Sequence, residues 1–209
     1  MKCDCLLVGV GGQGVISIAA VIAQSAVKEG LSVRQSEVHG MAQRGGAVLS
    51  HLRLAGPERS GPPENPGLPG NSGTIAGDLV PKGGADLIIA TEPLESLRYL
   101  SWLSPEGTLV SSRETIINIP NYPDQTEIEA AIKSLPHSVL INAVELAKET
   151  GLARTINMVM VGAASPFIPV SEETLENTIK ELFAAKDPKL AELNVKAFRL
   201  GRSQNASAK

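Results

Sequence analysis

The residues best placed to do chemistry lie in two glycine-rich stretches, Gly9–Gly14 (GVGGQG) and Glu37–Gly46 (EVHGMAQRGG). In the first, Gly9, Gly11 and Gly14 fall in the G-x-G-x-x-G register, behind a short apolar run from Lys2 and ahead of a mostly apolar segment, Val15 to Lys28. That order predicts strand, phosphate-type loop, helix. The first glycine permits a tight turn, the second the close approach of a ligand or another backbone, and the third packs helix on strand. Gly12 is an additional glycine beside Gln13, so the loop amides are unshielded. With the first free N–H groups of the helix they form a candidate anion site. A nicotinamide dinucleotide would also need an acidic residue roughly 20 positions on to hold a ribose. Glu37 is near that place. A structural glycine turn and a different ligand are the competing readings.

The second stretch has no hydrophobic period and sets His39, Met41, Gln43 and Arg44 among Gly40, Gly45 and Gly46. In a functional reading Arg44 takes an acidic or phosphate partner, His39 carries a proton or a hydrogen bond, and the glycines admit a ligand or a subunit. In a structural reading it is a turn with a solvated arginine. Loops after neighbouring parallel strands share the carboxyl edge of a sheet, so the two stretches are expected to meet in one composite site.

The elements that must position these loops follow from periodicity. Val15–Lys28 reads as a helix buried on most sides with Gly30 as its cap, Leu31–Ser36 as a second strand, and Ala47–Leu54 as a third. In the third strand Val48, Leu52 and Leu54 share one face, and His51, read as half-exposed, shares the other with Arg53. Ala55–Gly77 is Gly/Pro-rich and reads as a mobile surface insert. Order resumes with a strand at Asp86–Thr91, a helix begun by Glu92-Pro93, and a strand at Gly107–Ser112. Helix at Gln125–Leu135, strand at Ser138–Ile141, helices at Ala143–Thr150 and Glu172–Ala184, a helix or alternatively a strand at Asn157–Ala164, and a last helix from Pro188 to about Leu200 complete the pattern. The expected organisation is one α/β domain over 1–203 with a 55–77 insert and a frayed tail at 204–209. It is a three-layer α/β/α sandwich on a mostly parallel sheet, with a mixed sheet as the alternative.

Composition excludes several classes. With 19 Lys+Arg against 22 Asp+Glu there is no basic field for nucleic acid or an anionic membrane, and 3% aromatics offer no base-stacking platform. No apolar run reaches the ~20 residues that span a bilayer, and the N-terminus lacks a secretory pattern, so a cytoplasmic location is expected. Cys3 and Cys5 alternate along the first strand and read as small core residues.

GVGGQG, SEVHGMAQRGGAVLSHLRL, GADLIIATEPLESLRYL and GTLVSS together resemble the gamma subunit or domain of the 2-oxoacid:ferredoxin oxidoreductases, most nearly the small (beta) subunit of the indolepyruvate type. The resemblance implies a fold like the gamma domain of pyruvate:ferredoxin oxidoreductase and membership of an enzyme that oxidatively decarboxylates a 2-oxoacid, such as an aryl pyruvate. It implies thiamine diphosphate and iron–sulfur clusters on a large catalytic partner subunit, ferredoxin as the eventual electron acceptor, and coenzyme A as co-substrate. The chain's nearest approach to a thiamine-binding GDG motif is Gly77-Asp78-Leu79, and two cysteines are too few for a cluster. No tightly bound cofactor or metal is therefore expected here. The chain is expected to be inactive alone and to self-associate through an uncovered docking face when isolated. A scaffold subunit without a ligand site, and a stand-alone nucleotide-dependent oxidoreductase using Glu37, are the other readings.

Overall fold

The computed structural model describes residues 1–39, 45–56 and 75–207. The strands are β1 (Lys2–Val10), β2 (Ser32–His39), β3 (Ala47–Ala55), β4 (Ala85–Ala90), β5 (Leu103–Ser112) and β6 (Ser138–Ile141). The helices are α1 (Val15–Lys28), α2 (Pro93–Arg98), α3 (Gln125–Lys133), α4 (Ala143–Glu149), α5 (Ile156–Ala164), α6 (Glu172–Ala184) and α7 (Pro188–Ser203). The sheet order is β2-β3-β1-β4-β5-β6. β1, β4, β5 and β6 pair in parallel, whereas β3 is antiparallel to both β1 and β2. The sheet is therefore mixed, with β3 as its reversed strand.

Alternation along β1 sorts the core into two layers. Cys5 and Leu7 face α1, α5, α6 and α7, packing among Ile18, Ile22, Val159, Ile179 and Phe198. Leu6 and Val8 face the opposite way, towards Ile128 and Ile132 of α3 and Leu94 and Leu97 of α2. Both faces of the central strands are covered, which is why β4 reads as an apolar run from Leu87 to Ala90. α5 and α7 cross with almost no separation, because a Cβ at Gly162 would overlap Phe198 O and one at Gly201 would overlap Val159 O.

Several boundaries differ from those expected. β2 runs on to His39, so Glu37 and Val38 belong to a ladder, opposite Ser50 and Leu49, and not to a loop. His51 is buried, with Nδ1 accepting from the Val80 amide (3.1 Å). Arg53 is buried as well. Its Nε and Nη2 reach Asp4 Oδ1 and Oδ2 at 2.8 and 2.9 Å, and its Nη1 reaches the carbonyls of Gly77 (2.9 Å) and Leu79 (3.1 Å). The returning segment 75–80 thus covers the face of β3 that the sequence leaves half-polar. Residues 57–74 of the expected insert lie outside the described residues. Gln204–Ser207 forms a 3-10 turn, with Asn205 Nδ2 donating to Ala163 O (2.8 Å), where a frayed tail was expected.

Candidate functional site

The glycine loop leaves β1 at the carboxyl edge and enters α1 at Gly14, the N-cap, in the left-handed conformation (φ 76°). No side chain caps this end, and the Ser17 amide turns back to Gly14 O (2.9 Å), which leaves the amides of Val15 and Ile16 without a capping partner. The individual glycines serve different ends. A Cβ at Gly9 would overlap Thr91 Oγ1, so Gly9 admits the end of β4 and not a ligand. A Cβ at Gly14 would overlap Asn157 Nδ2, so Gly14 packs α1 on α5 and not on a strand. Gly12 (φ 102°) has open space where its side chain would be.

Gln13 turns inward. Its Oε1 accepts from the Val10 amide (2.8 Å) and from Thr91 Oγ1 (2.9 Å), while Nε2 donates to Thr91 O (2.9 Å). The side chain ties the glycine loop to the end of β4.

The two glycine-rich stretches do meet. The Gly11 amide donates to Gly46 O (2.8 Å) and the Gly45 amide to Gly11 O (3.4 Å). The cause is different from stacked parallel strands: β3 reverses direction between β2 and β1, so its N-terminus, with Gly45 and Gly46 before it, lies at the carboxyl end of β1. Gly40, Met41, Gln43 and Arg44 lie outside the described residues, as does the His39 side chain. Glu37 accepts from Gln35 Nε2 (2.8 Å) on β2, and the interposed β3 keeps it from the place beside the glycine loop that a ribose-binding acid takes.

The connection from β5 to α3 closes the rim. Asn118 Nδ2 donates to Gly45 O (2.8 Å). Glu92, buried at 1% exposure, caps α2 through the Glu95 amide (2.7 Å) and also accepts from the Ile116 amide (3.3 Å) and Tyr122 OH. Burial, then the Glu92 hydrogen bond, pushes the Tyr122 hydroxyl up in pKa. Beside it, burial raises the Glu95 carboxyl, whose Oε2 is buried without a hydrogen-bond partner and whose Oε1 lies 3.4 Å from Arg98 Nε.

A cleft of about 330 Å³ opens beside the glycine loop. Gly12, Gln13 and Gly14 form one wall, and Thr91 and Ser112 close the ends of β4 and β5. Arg154, Ile156, Asn157 and Met160 form the opposite wall, from a 3-10 turn (Ala153–Thr155) and α5. Arg154 is exposed, with no ion-pair partner among the described residues. Asn157 donates from Nδ2 to Gly14 O (3.3 Å), and its Oδ1 is buried without a partner. An unshielded helix N-terminus, a free guanidinium and an apolar patch suit a ligand with an anionic head and an apolar arm. Sequence reading missed Thr91, Ser112, Arg154, Ile156, Asn157 and Met160. Thr91 and Ser112 carried a signal, as the polar residues that end DLIIAT and GTLVSS at the carboxyl edge; Arg154 and Asn157 carried none.

Among the described residues no three His, Cys, Asp or Glu side chains converge as a metal site. Cys3 and Cys5 are free and buried, with Sγ atoms 3.4 Å apart. The hydrogen bond to Cys3, then burial, pushes the Cys5 thiol well up. No helix among the described residues is long and apolar enough to cross a membrane.

A mixed α/β sheet with a glycine-loop cleft at the carboxyl ends of its parallel strands defines an α/β ligand-binding class of wide use. Within that class the chain belongs to the pyruvate ferredoxin/flavodoxin oxidoreductase family, whose model matches residues 4–204. It is 33% identical over 218 residues to the indolepyruvate oxidoreductase subunit IorB of Archaeoglobus fulgidus, covering 100% of this chain and 98% of that protein. It is likewise 33% identical over 210 residues to the IorB subunit of Methanothermobacter thermautotrophicus, covering 96% of each. The fold matches the gamma subunit of the keto/oxoacid ferredoxin oxidoreductase from Geobacter sulfurreducens with a TM-score of 0.65 at 21% identity, over 98% of this chain and 99% of that one. It also matches 31% of a longer chain, the 2-oxoglutarate:ferredoxin oxidoreductase of Magnetococcus marinus with 2-oxoglutarate, coenzyme A and succinyl-CoA bound (TM-score 0.71, 21% identity, 99% of this chain).

Proposed function

We propose that this chain is the small, cluster-free subunit of a cytoplasmic indolepyruvate (aryl pyruvate):ferredoxin oxidoreductase, and that it has no activity alone. The carrying observation is its 33% identity along nearly the whole length of an indolepyruvate oxidoreductase subunit. Decarboxylation on thiamine diphosphate and electron transfer through iron–sulfur clusters to ferredoxin are assigned to a large partner subunit. The cleft of this chain completes the coenzyme A entrance. The α1 N-terminus and Arg154 suit the pyrophosphate, and the half-buried Ile156 suits an apolar arm.

The test is affinity purification of the chain from its anaerobically grown native source, followed by assay of coenzyme A-dependent ferredoxin reduction with aryl and aliphatic 2-oxoacids. A brown complex that prefers aryl pyruvates is the expected result. A colourless, partner-free chain overturns the subunit reading. Arg154→Ala and Gly12→Val test the cleft separately: each should raise the KM for coenzyme A with little change in the KM for the 2-oxoacid. A second reading, that the chain is a scaffold with no ligand site, is favoured by the inward bonding of Gln13 and the Gly11 backbone, which serve structure without any ligand. It predicts unchanged coenzyme A kinetics in both variants.

A further inference from the structure

Gln13 stands where a ligand-binding side chain is expected in a glycine loop, yet each polar atom of its carboxamide is engaged within the chain. The acceptor takes two donors, the Val10 amide (2.8 Å) and Thr91 Oγ1 (2.9 Å), and the donor is given to Thr91 O (2.9 Å). Thr91 is 5% exposed, and its hydroxyl also lies 3.3 Å from Val8 O, so the contact sits between the ends of β1 and β4. Gly9 has no side chain at this spot, and a Cβ there would overlap Thr91 Oγ1 and come within 3.0 Å of Gln13 Oε1. Glycine at 9, carboxamide at 13 and hydroxyl at 91 therefore form one mutually dependent unit. A carboxylate at 13 would keep the acceptor role but set a negative oxygen against Thr91 O.

We propose that Gln13 and Thr91 are a positioning pair for the coenzyme A step: they hold the glycine loop against β4 so that Gly12 and the first amides of α1 face the cleft at a fixed spacing from Arg154. This rests on the cleft being the coenzyme A entrance. Neither side chain need touch the co-substrate. Their effect passes through the loop backbone, where a small misplacement of anion-binding amides weakens binding without altering the reacting groups.

The experiment uses the full chain in its assembled complex, with Gln13→Glu, Thr91→Val and Thr91→Ser, and with Arg154→Ala as a control on the cleft. Two readouts are taken: steady-state kinetics against coenzyme A and 2-oxoacid separately, and hydrogen exchange of the peptide spanning residues 10–16. Gln13→Glu and Thr91→Val are expected to raise the KM for coenzyme A about tenfold, as for one lost buried hydrogen bond to the loop, with kcat within about twofold. They should also speed exchange of that peptide, and Thr91→Ser, which restores the hydroxyl, should return both readouts to wild type.

If Arg154→Ala raises the KM and Gln13→Glu and Thr91→Val do not, the positioning role is overturned while the cleft reading stands. If Arg154→Ala and the pair all leave coenzyme A kinetics unchanged, the cleft reading fails, and the coenzyme A role of the pair falls with it whatever the exchange data show. If Thr91→Val fails to assemble, Gln13→Glu and Thr91→Ser carry the test. Equal loss in kcat and both KM values, without rescue by serine, makes the pair structural only and overturns the proposal.

Discussion

Replacing Arg53 with Met should cost about 3 kcal/mol of stability, the low end of the range for breaking a buried ion pair. Arg53→Met removes two hydrogen bonds to Asp4 and the two donated to Gly77 O and Leu79 O. It leaves a carboxylate at 1% exposure, whose remaining cation is Lys2 at 2.7 Å, itself 53% exposed. That surviving, solvent-screened partner is the reason for choosing the low end of the range. With a urea m-value of about 2–3 kcal/mol/M, the unfolding midpoint should fall by roughly 1–1.5 M. Urea titration followed by circular dichroism measures this directly. Adding Asp4→Leu to Arg53→Met should recover part of the loss, because the orphaned charge disappears with its partner. A single-variant cost under about 1 kcal/mol would refute the reasoning, and so would a double variant as damaging as the sum of its parts.

Gly201→Ala should destabilise by more than about 3 kcal/mol, above the usual range for overpacking, since the new methyl meets backbone of Val159 and not a movable side chain; thermal melting would register it, and an unchanged midpoint would deny the close α5–α7 crossing. Glu92→Gln turns an acceptor into a donor against the Ile116 or Glu95 amide or Tyr122 OH, and should cost about 1–3 kcal/mol while speeding amide exchange at 113–122. Burial, then the Arg53 charge, lowers the pKa of His51 below its unfolded value near 6.5. The unfolded chain then binds the proton more readily, so this contribution is complete above about pH 6.5 and is lost as pH falls towards the folded pKa. His51→Gln should flatten the fall in urea midpoint between pH 6.5 and 5, and parallel profiles for the two proteins would contradict it.

Local elements were legible in the sequence because their signals are local. The apolar run Val15–Lys28 and the Ser171 and Asp187-Pro188 caps each predict helices that begin where expected. Strand direction was not legible. Whether Ala47–Ala55 runs with or against Lys2–Val10 depends on pairing between residues 37 to 53 positions apart, and alternation along a strand is the same in both directions. His51 looked half-exposed, and the burial of Arg53 beside it was not foreseen, for a related reason. Their partners Val80 and Asp4 are remote in sequence, and burial of a polar residue follows from such a partner and not from its own type. The glycine loop was legible as a loop, but the cleft beside it draws on Thr91, Ser112, Arg154 and Asn157, which no spacing rule connects.

The reversal of β3 also decides where the chain leaves the sheet. Because that strand starts at the cleft rim and ends beside Met1, where the Gly56 amide donates to Met1 O (2.7 Å), the Gly/Pro-rich stretch departs from the sheet edge opposite the cleft. It rejoins through Ile75 and Val80, both buried. Gly56, where the chain leaves β3, and Gly77, whose carbonyl accepts from Arg53, both lie towards the end of the sheet away from the cleft, so a change of sequence at either point is separated from the rim by most of the length of β3.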